Sequence, residues 1–278
     1  MRTWFITGAS RGFGALIAEE ALAKGDAVVA TARDPRAITA RFGSHPNLLA
    51  VRLDVTQESQ AREAAKAAIE RFGRIDILVN NAGYGLLGAV EEASAEQIEA
   101  VYRTNVFGLL AVTRAVLPHM RRQRSGRVLN ISSVGGFRGF AGWGIYCSTK
   151  FALEGLSEAL AQELEPLGIQ VTAVEPGYFR TDFLDQTSLV TNDAPIDDYH
   201  ETSGAMRTLA AGVNHQQPGD PAKLAKVLVT FVDTENPPVR LPLGSDTVAA
   251  LEGKISELAS LVQTWRPTSV STDFTSGK

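Results

Sequence analysis

The sequence predicts an α/β fold, a doubly wound parallel sheet with helices on both faces, in a single domain. Three observations carry that expectation. Short, almost continuously apolar runs alternate with helix-length amphipathic segments from residue 3 to about residue 174, as expected of strands covered on both faces. The first apolar run passes straight into a glycine-rich turn followed by a helical pattern. No Gly/Ser/Pro-rich linker or internal repeat divides the chain, so residues 1–265 read as one domain although a length of 278 allows two.

The elements follow in order. Strands are expected at Thr3–Thr7, Ala27–Thr31, Leu48–Leu53, Ile75–Val79, Arg127–Ile131 and Ile169–Val174. Between them, Gln57–Phe72 sets Ala61, Ala64, Ala65, Ala68, Ile69 and Phe72 on one helical face, and Gly73 stops it. Ser94-Ala-Glu-Gln97 is a capping box. Leu153–Glu165 reads as a helix closed by Pro166 and Gly168, and Asp220-Pro221 opens another. The polar stretch Thr181–Pro218 is too long for an ordinary loop and reads as a substrate lid. A last strand near Pro238–Leu243 precedes a helix over 246–265, and the Ser/Thr-rich tail 266–278 is expected to be disordered.

Composition narrows the function classes. Hydrophobic residues at 44% and charged residues at 21% exclude wholesale disorder. The one cysteine, Cys147, excludes an internal disulfide and a cysteine-based zinc site, and reads as a small packing residue. Basic and acidic residues number 27 and 31, a net charge of −4, which leaves no footprint for nucleic acid. His45, His119, His200 and His215 have no metal-ligand spacing, so no metal is expected. The N-terminal apolar run is too short for a signal peptide, and no run approaches membrane-spanning length. A cytoplasmic protein without membrane or nucleic-acid partners is the expectation.

Four motifs carry chemistry. Thr7-Gly8-Ala9-Ser10-Arg11-Gly12-Phe13-Gly14 lies between strand and helix, where glycines let backbone approach a pyrophosphate at a helix N-terminus. Gly8, Ser10, Arg11, Gly12, Phe13 and Gly14 are the candidate nucleotide contacts. The same residues spell G-x-S-x-G, the nucleophile elbow of a serine hydrolase acting through Ser10. That elbow belongs inside an assembled sheet, and here it follows the first strand. Asn80-Asn81-Ala82-Gly83 follows the fourth strand, where a turn alone would also explain it. Tyr146-Cys-Ser-Thr-Lys150 places a phenol and an ammonium one helical turn apart. Ser133 stands 13 positions earlier, just past a strand end; Ser132 is its rival. Asn105 is polar within an apolar stretch, as a helix-bending or capping amide would be.

In this order and spacing, TGxxxGxG, NNAG, the internal Asn, the Ser and YxxxK resemble the short-chain dehydrogenase/reductase family over residues 3–181. A weaker resemblance, to the bacterial 17β-hydroxysteroid-dehydrogenase-like branch, rests on Phe5-Ile-Thr-Gly-Ala-Ser, Glu175-Pro-Gly and Pro237-Pro-Val-Arg-Leu-Pro-Leu-Gly. The family resemblance implies an NAD(P)-dependent alcohol/carbonyl oxidoreductase on a Rossmann-like sheet, with ketone reduction favoured. Tyr146 is then the general acid or base, its phenol lowered by Lys150. Ser133 steadies the substrate oxygen, Lys150 also holds the ribose, and Asn105 anchors a water leading to Lys150. Asp54 and Val55 match the adenine pocket. Asn81, Ala82, Gly83, Pro176, Gly177 and Thr181, with Tyr146 and Lys150, complete the cofactor set. Phe137, Phe140, Trp143, Tyr178, Phe179 and Phe183 flank these motifs and suggest, with Ser133, a pocket for an apolar or aromatic carbonyl compound. A homo-oligomer is implied, paired through helices near Val106–Arg122 and Thr149–Glu165. A dinucleotide-sensing regulator without turnover is the alternative, and its signature would be a broken set of Asn105, Ser133, Tyr146 and Lys150.

Two readings of cofactor choice collide. Asp34 stands 20 positions after Gly14, which by the generic rule gives NAD. In the resembling family the discriminating acid ends the second strand, and that place is held by Ala32. Arg33 and Arg11 match basic positions of NADP-preferring members and suit a 2′-phosphate. NADP(H) is therefore the expected preference, with NAD(H) also accommodated.

Overall fold

The computed structural model describes residues 1–192 and 194–274. Seven parallel strands form the central sheet: β1 (Thr3–Ile6), β2 (Ala27–Ala32), β3 (Leu48–Arg52), β4 (Ile77–Asn80), β6 (Gly126–Ile131), β7 (Ile169–Pro176) and β9 (Arg240–Leu243). Their order is β3-β2-β1-β4-β6-β7-β9, so the winding reverses between β1 and β4. Ligand crevices form outside the carboxyl ends of strands at such a switch point.

Alternation along β1 shows how the sequence dictates the layers. Trp4 and Ile6 pack with Ile17, Ala18 and Leu228, from α1 (Gly12–Ala23) and α8 (Pro221–Phe231). Phe5 faces the other way, toward Ala64, Ala68, Val112 and Val116 of α3 (Glu58–Phe72) and α5 (Leu109–Gln123). Ala61, Ala64, Ala65 and Ala68 of α3 are fully or almost fully buried, and their small size lets that helix pack close to the sheet. Gly73 ends α3 in the left-handed region, φ 78°. Ser94 and Gln97 cap α4 (Ala95–Tyr102) reciprocally, and Asp220 caps α8 through the N–H groups of Ala222 and Lys223.

Three departures matter. First, α6 runs over Gly144–Leu164 and so begins nine residues before the expected Leu153 (153 − 144), taking Tyr146 and Lys150 into one helix. Second, Thr181–Pro218 is not mainly irregular. It contains β8 (Leu189–Thr191), paired in parallel with β5 (Gly85–Leu87), and α7 (Ala205–Val213). Third, α9 (Ser245–Val270) continues through Pro267, so residues 266–270 of the expected tail are helical. The helix end is exposed, so the carbonyl that the proline leaves without a donor is open to solvent. Residues 275–278 of that tail lie outside the described residues.

Candidate active site

A cavity of about 810 Å³ opens at the carboxyl ends of β1, β4, β6 and β7. Gly8, Ser10, Arg11, Gly12, Phe13, Arg33, Asp54, Val55, Asn81, Ala82, Gly83, Pro176, Gly177 and Thr181 all line it. Gly14 is the expected contact that does not. It lies beneath the turn, where a Cβ would stand 2.5 Å from the Gly8 carbonyl oxygen and 2.6 Å from Asn81 Nδ2. Asn81 donates to the carbonyls of Thr7 (2.9 Å) and Gly8 (3.1 Å), and the Thr7 hydroxyl accepts from the N–H groups of Asn81 (2.9 Å) and Ala82 (3.0 Å). The glycine turn and the Asn-Asn-Ala-Gly segment thus brace each other. With the N-terminus of α1 opening on the cavity, this cradle fits a pyrophosphate.

The basic residues separate. Arg33 is exposed at the rim, just past buried Ala32. Arg11, expected to share the 2′-phosphate, instead donates to Thr187 Oγ1 (2.6 Å), the Thr187 carbonyl (2.7 Å) and Ser188 Oγ (2.7 Å). It ties the glycine turn to the segment before β8, a long-range pairing that sequence spacing does not reveal. Asp34 accepts from Arg36 at 2.7–3.1 Å and is held down to about 2 by those bonds. It caps a turn and is committed locally. The Asp54 carboxylate accepts from the Thr56 N–H and hydroxyl.

Ser133, Tyr146 and Lys150 meet on the cavity floor. Ser133 follows β6 by two residues, lines the cavity with the Tyr146 phenol, and its hydroxyl accepts from the Gly135 N–H (3.1 Å). Buried Lys150 donates through Nζ to the Ile131 carbonyl (2.8 Å), 5.7 Å from the centre of the Tyr146 ring. Asn105 does not line the cavity; it sits behind Lys150 in a π-helical turn, Arg103–Gly108. Its Oδ1 accepts from the Tyr84 N–H (3.1 Å), and its Nδ2 donates to the Tyr84 carbonyl (3.0 Å) and Thr149 Oγ1 (3.2 Å). A wider helical turn of this kind re-aims a side chain without ending the helix.

Electrostatics differ from expectation. Burial pushes the Tyr146 phenol well above its ordinary value, and the nearby Ser133 hydroxyl only partly opposes this. Lys150 does not lower it, because burial also pushes the ammonium down, to about 8, with Glu154 opposing. Burial thus shifts both groups toward their neutral forms.

Phe140, Trp143, Tyr178, Phe179 and Phe183 reach the cavity; Phe137 packs elsewhere in the core. Phe183 stacks on Trp143 (centroids 6.4 Å) and tilts against Tyr146 (5.5 Å). Phe179 packs edge-on against Phe13 and so belongs to the glycine-turn side. Leu184, Leu189 and Val190 complete the apolar end. Sequence reasoning placed them in the lid without singling them out; their apolar character within a polar stretch was the available signal. No histidine lines the cavity among the described residues, which leaves Ser10 without a base for hydrolase chemistry.

The short chain dehydrogenase family model matches residues 2–190. An oxidoreductase, BOA17, of Botryotinia fuckeliana is 39% identical over 273 residues, covering 97% of this chain and 98% of its own. A 3-ketodihydrosphingosine reductase of Bacteroides thetaiotaomicron is 38% identical over 240 residues, covering 86% of each chain. Among solved structures, a short-chain dehydrogenase from Streptomyces avermitilis superposes with TM-score 0.89 at 41% identity, covering 98% of this chain and all of that one. ElxO with NADP bound gives TM-score 0.73 at 29% identity, covering 89% and 99%. With the family model spanning most of the chain and these relatives matching nearly end to end, the protein belongs to the short-chain dehydrogenase family and is an oxidoreductase of that type.

Proposed function

We propose that the protein transfers hydride between NADP(H) and an apolar or aromatic carbonyl compound, in the direction of ketone reduction. The observation that carries this reading is the convergence of Ser133, Tyr146 and Lys150 on the floor of the cavity lined by the glycine turn. When bound, the nicotinamide supplies the hydride. Tyr146 donates its proton to the carbonyl oxygen, and burial keeps that phenol protonated before the transfer. Ser133 donates a hydrogen bond to the same oxygen as negative charge develops there. Lys150 holds the ribose hydroxyls, and in its charged form stabilises the phenolate that proton transfer leaves on Tyr146. Gly83 leaves room between Asn105 and Lys150, since a Cβ there would stand 3.1 Å from Asn105 Oδ1 and 3.9 Å from Lys150 Nζ. A water held by Asn105 in that gap would complete a proton path.

Arg33, with Ala32 in place of an acid, supports NADP(H); the likeness to NADP-bound ElxO is consistent with it. The wall formed by Trp143, Phe183, Leu184, Leu189 and Val190 supports an apolar substrate, as does similarity to a 3-ketodihydrosphingosine reductase. Phe107 and Phe151, 58% and 46% exposed, support a homo-oligomer formed through the helices that carry them. The direct test is a panel of aryl and long-chain alkyl ketones with NADPH, read by nicotinamide absorbance. Turnover with NADPH above NADH is expected. Binding of NADPH without turnover of any ketone or alcohol would favour a dinucleotide sensor and overturn the enzyme reading.

A further inference from the structure

Behind Lys150 lies a buried charge cluster that the mechanism above does not use. Glu154 follows Lys150 by one turn of α6, on the same face. It is 5% exposed, and its Oε1 accepts a hydrogen bond from Ser132 Oγ. Its Oε2 lies 3.1 Å from Arg240 of β9. The same guanidinium donates through Nε to Oε1 of fully buried Glu175 on β7 (2.7 Å) and approaches Glu158 of α6 at 3.6 Å. Three elements from distant parts of the chain therefore spend a carboxylate–guanidinium–carboxylate array on a spot beside the catalytic floor. Burying such an array is costly unless every member is paired, and it does not by itself argue for stability.

Its placement is informative. Ser132, which the Glu154 carboxylate holds, precedes Ser133, and its own N–H donates to the Val174 carbonyl (2.7 Å). Ile131, which accepts from Lys150 Nζ, precedes Ser132. The run Ile131-Ser132-Ser133 is thus gripped by Lys150 and Glu154 together. We propose that Glu154 is a positioning residue that keeps Lys150 in its ammonium form and holds the Ser133 turn, with Arg240, itself bound by Glu175, beside its carboxylate. This inference rests on the role proposed for Lys150. Burial pushes the Lys150 ammonium down to about 8, and the charge of Glu154 opposes it; burial and then neighbouring Glu175 push the Glu154 carboxyl up to about 7, against the Ser132 hydroxyl and Arg240. The groups facing Glu154 are Lys150 and Glu158 from α6, Ser132 after β6, Glu175 from β7 and Arg240 from β9; Tyr146 faces Lys150 from the cavity side.

The test is a titration of Lys150 in the full-length, ligand-free protein, by NMR of carbon-13 at lysine Cε, with the resonance assigned from K150R. In E154Q, which keeps a hydrogen-bonding side chain but removes the charge, the Lys150 midpoint should fall by about one pH unit, a ~10-fold change in its protonation equilibrium. E154D, which keeps the charge, should restore most of it. S132A removes the bond that favours ionised Glu154, should shift the midpoint the same way by less, and carries the test if E154Q does not fold. NADPH affinity measured by fluorescence should lose its alkaline limb at correspondingly lower pH in E154Q. An unmoved Lys150 midpoint in both E154Q and S132A, even with lowered melting temperatures, would show a purely structural cluster and overturn the proposal. The titration needs no turnover, so that failure is distinct from absence of carbonyl reduction, which would defeat the functional reading instead.

Discussion

Replacing Arg33 with alanine should separate the two nicotinamide cofactors. Arg33 is exposed at the cavity rim directly after β2, and no hydrogen bond or ion pair engages its side chain among the described residues. Its neighbour Asp34 is taken up by Arg36, and Arg11 by the Thr187-Ser188 segment. Arg33 is therefore the cation most available to a 2′-phosphate. A charge-assisted hydrogen bond contributes about 1.5–3 kcal/mol, and an exposed site belongs at the low end. A loss of about 1.5–2 kcal/mol corresponds to a ~10–30-fold rise in KM for NADPH. NADH lacks the phosphate, so its KM should move by about twofold or less on the same reasoning. Steady-state kinetics with both cofactors on R33A and wild type measure this. Arg11→Ala is the contrasting variant: it releases the segment over the cavity and should weaken both cofactors alike. Equal effects of R33A on NADPH and NADH, or a wild-type enzyme more efficient with NADH, would refute the reasoning.

Other outcomes follow from the same geometry. Tyr146→Phe removes the proposed proton donor while keeping the ring against Phe183, so turnover should fall by ~10²–10⁴ with NADPH binding retained by fluorescence titration. Gly14→Ala forces a Cβ onto the Gly8 carbonyl and Asn81, which should destabilise by about 1–3 kcal/mol and lower the calorimetric melting temperature by several degrees. Arg207→Ala leaves Glu92 fully buried without its ion-pair partner, and limited proteolysis should then open the 181–218 segment faster than in wild type. For Lys150 the sign is set by a folded-state value of about 8, below the ordinary lysine value of 10.5: the folded state releases its proton first. Its contribution is therefore unfavourable below pH 8, and stability should rise between pH 8 and 10.5. Urea unfolding across that range should show the rise in wild type and lose it in K150M.

What the sequence made legible, and what it hid, divides by the range of the interaction. Strand-turn-helix order, the capping box at Ser94 and the glycine stop at Gly73 are local, and the residues that form them also name them. The glycine turn, the Asn-Asn-Ala-Gly segment and Ser133 were equally legible, because each follows the end of a strand of one parallel sheet and so faces the same crevice. Apart from the early start of α6 and the helical 266–270, the misses are tertiary. Three residues, Gly85–Leu87, become a strand only because Leu189–Thr191 comes alongside from a hundred positions away, and neither run is long enough to announce itself. Arg11 looked like a phosphate ligand until the Thr187-Ser188 segment folded onto it. The expected lowering of the Tyr146 phenol assumed that Lys150 acts as in water; burial weakens both charged forms together, and only the fold sets that balance. Glu154, Glu175 and Arg240 are each unremarkable in sequence, since a glutamate on a helix and an arginine near a chain end usually face solvent. Their meaning arises where β7, β9 and α6 close around Ser132, and there the proposed control of Lys150 falls to residues that no motif contains.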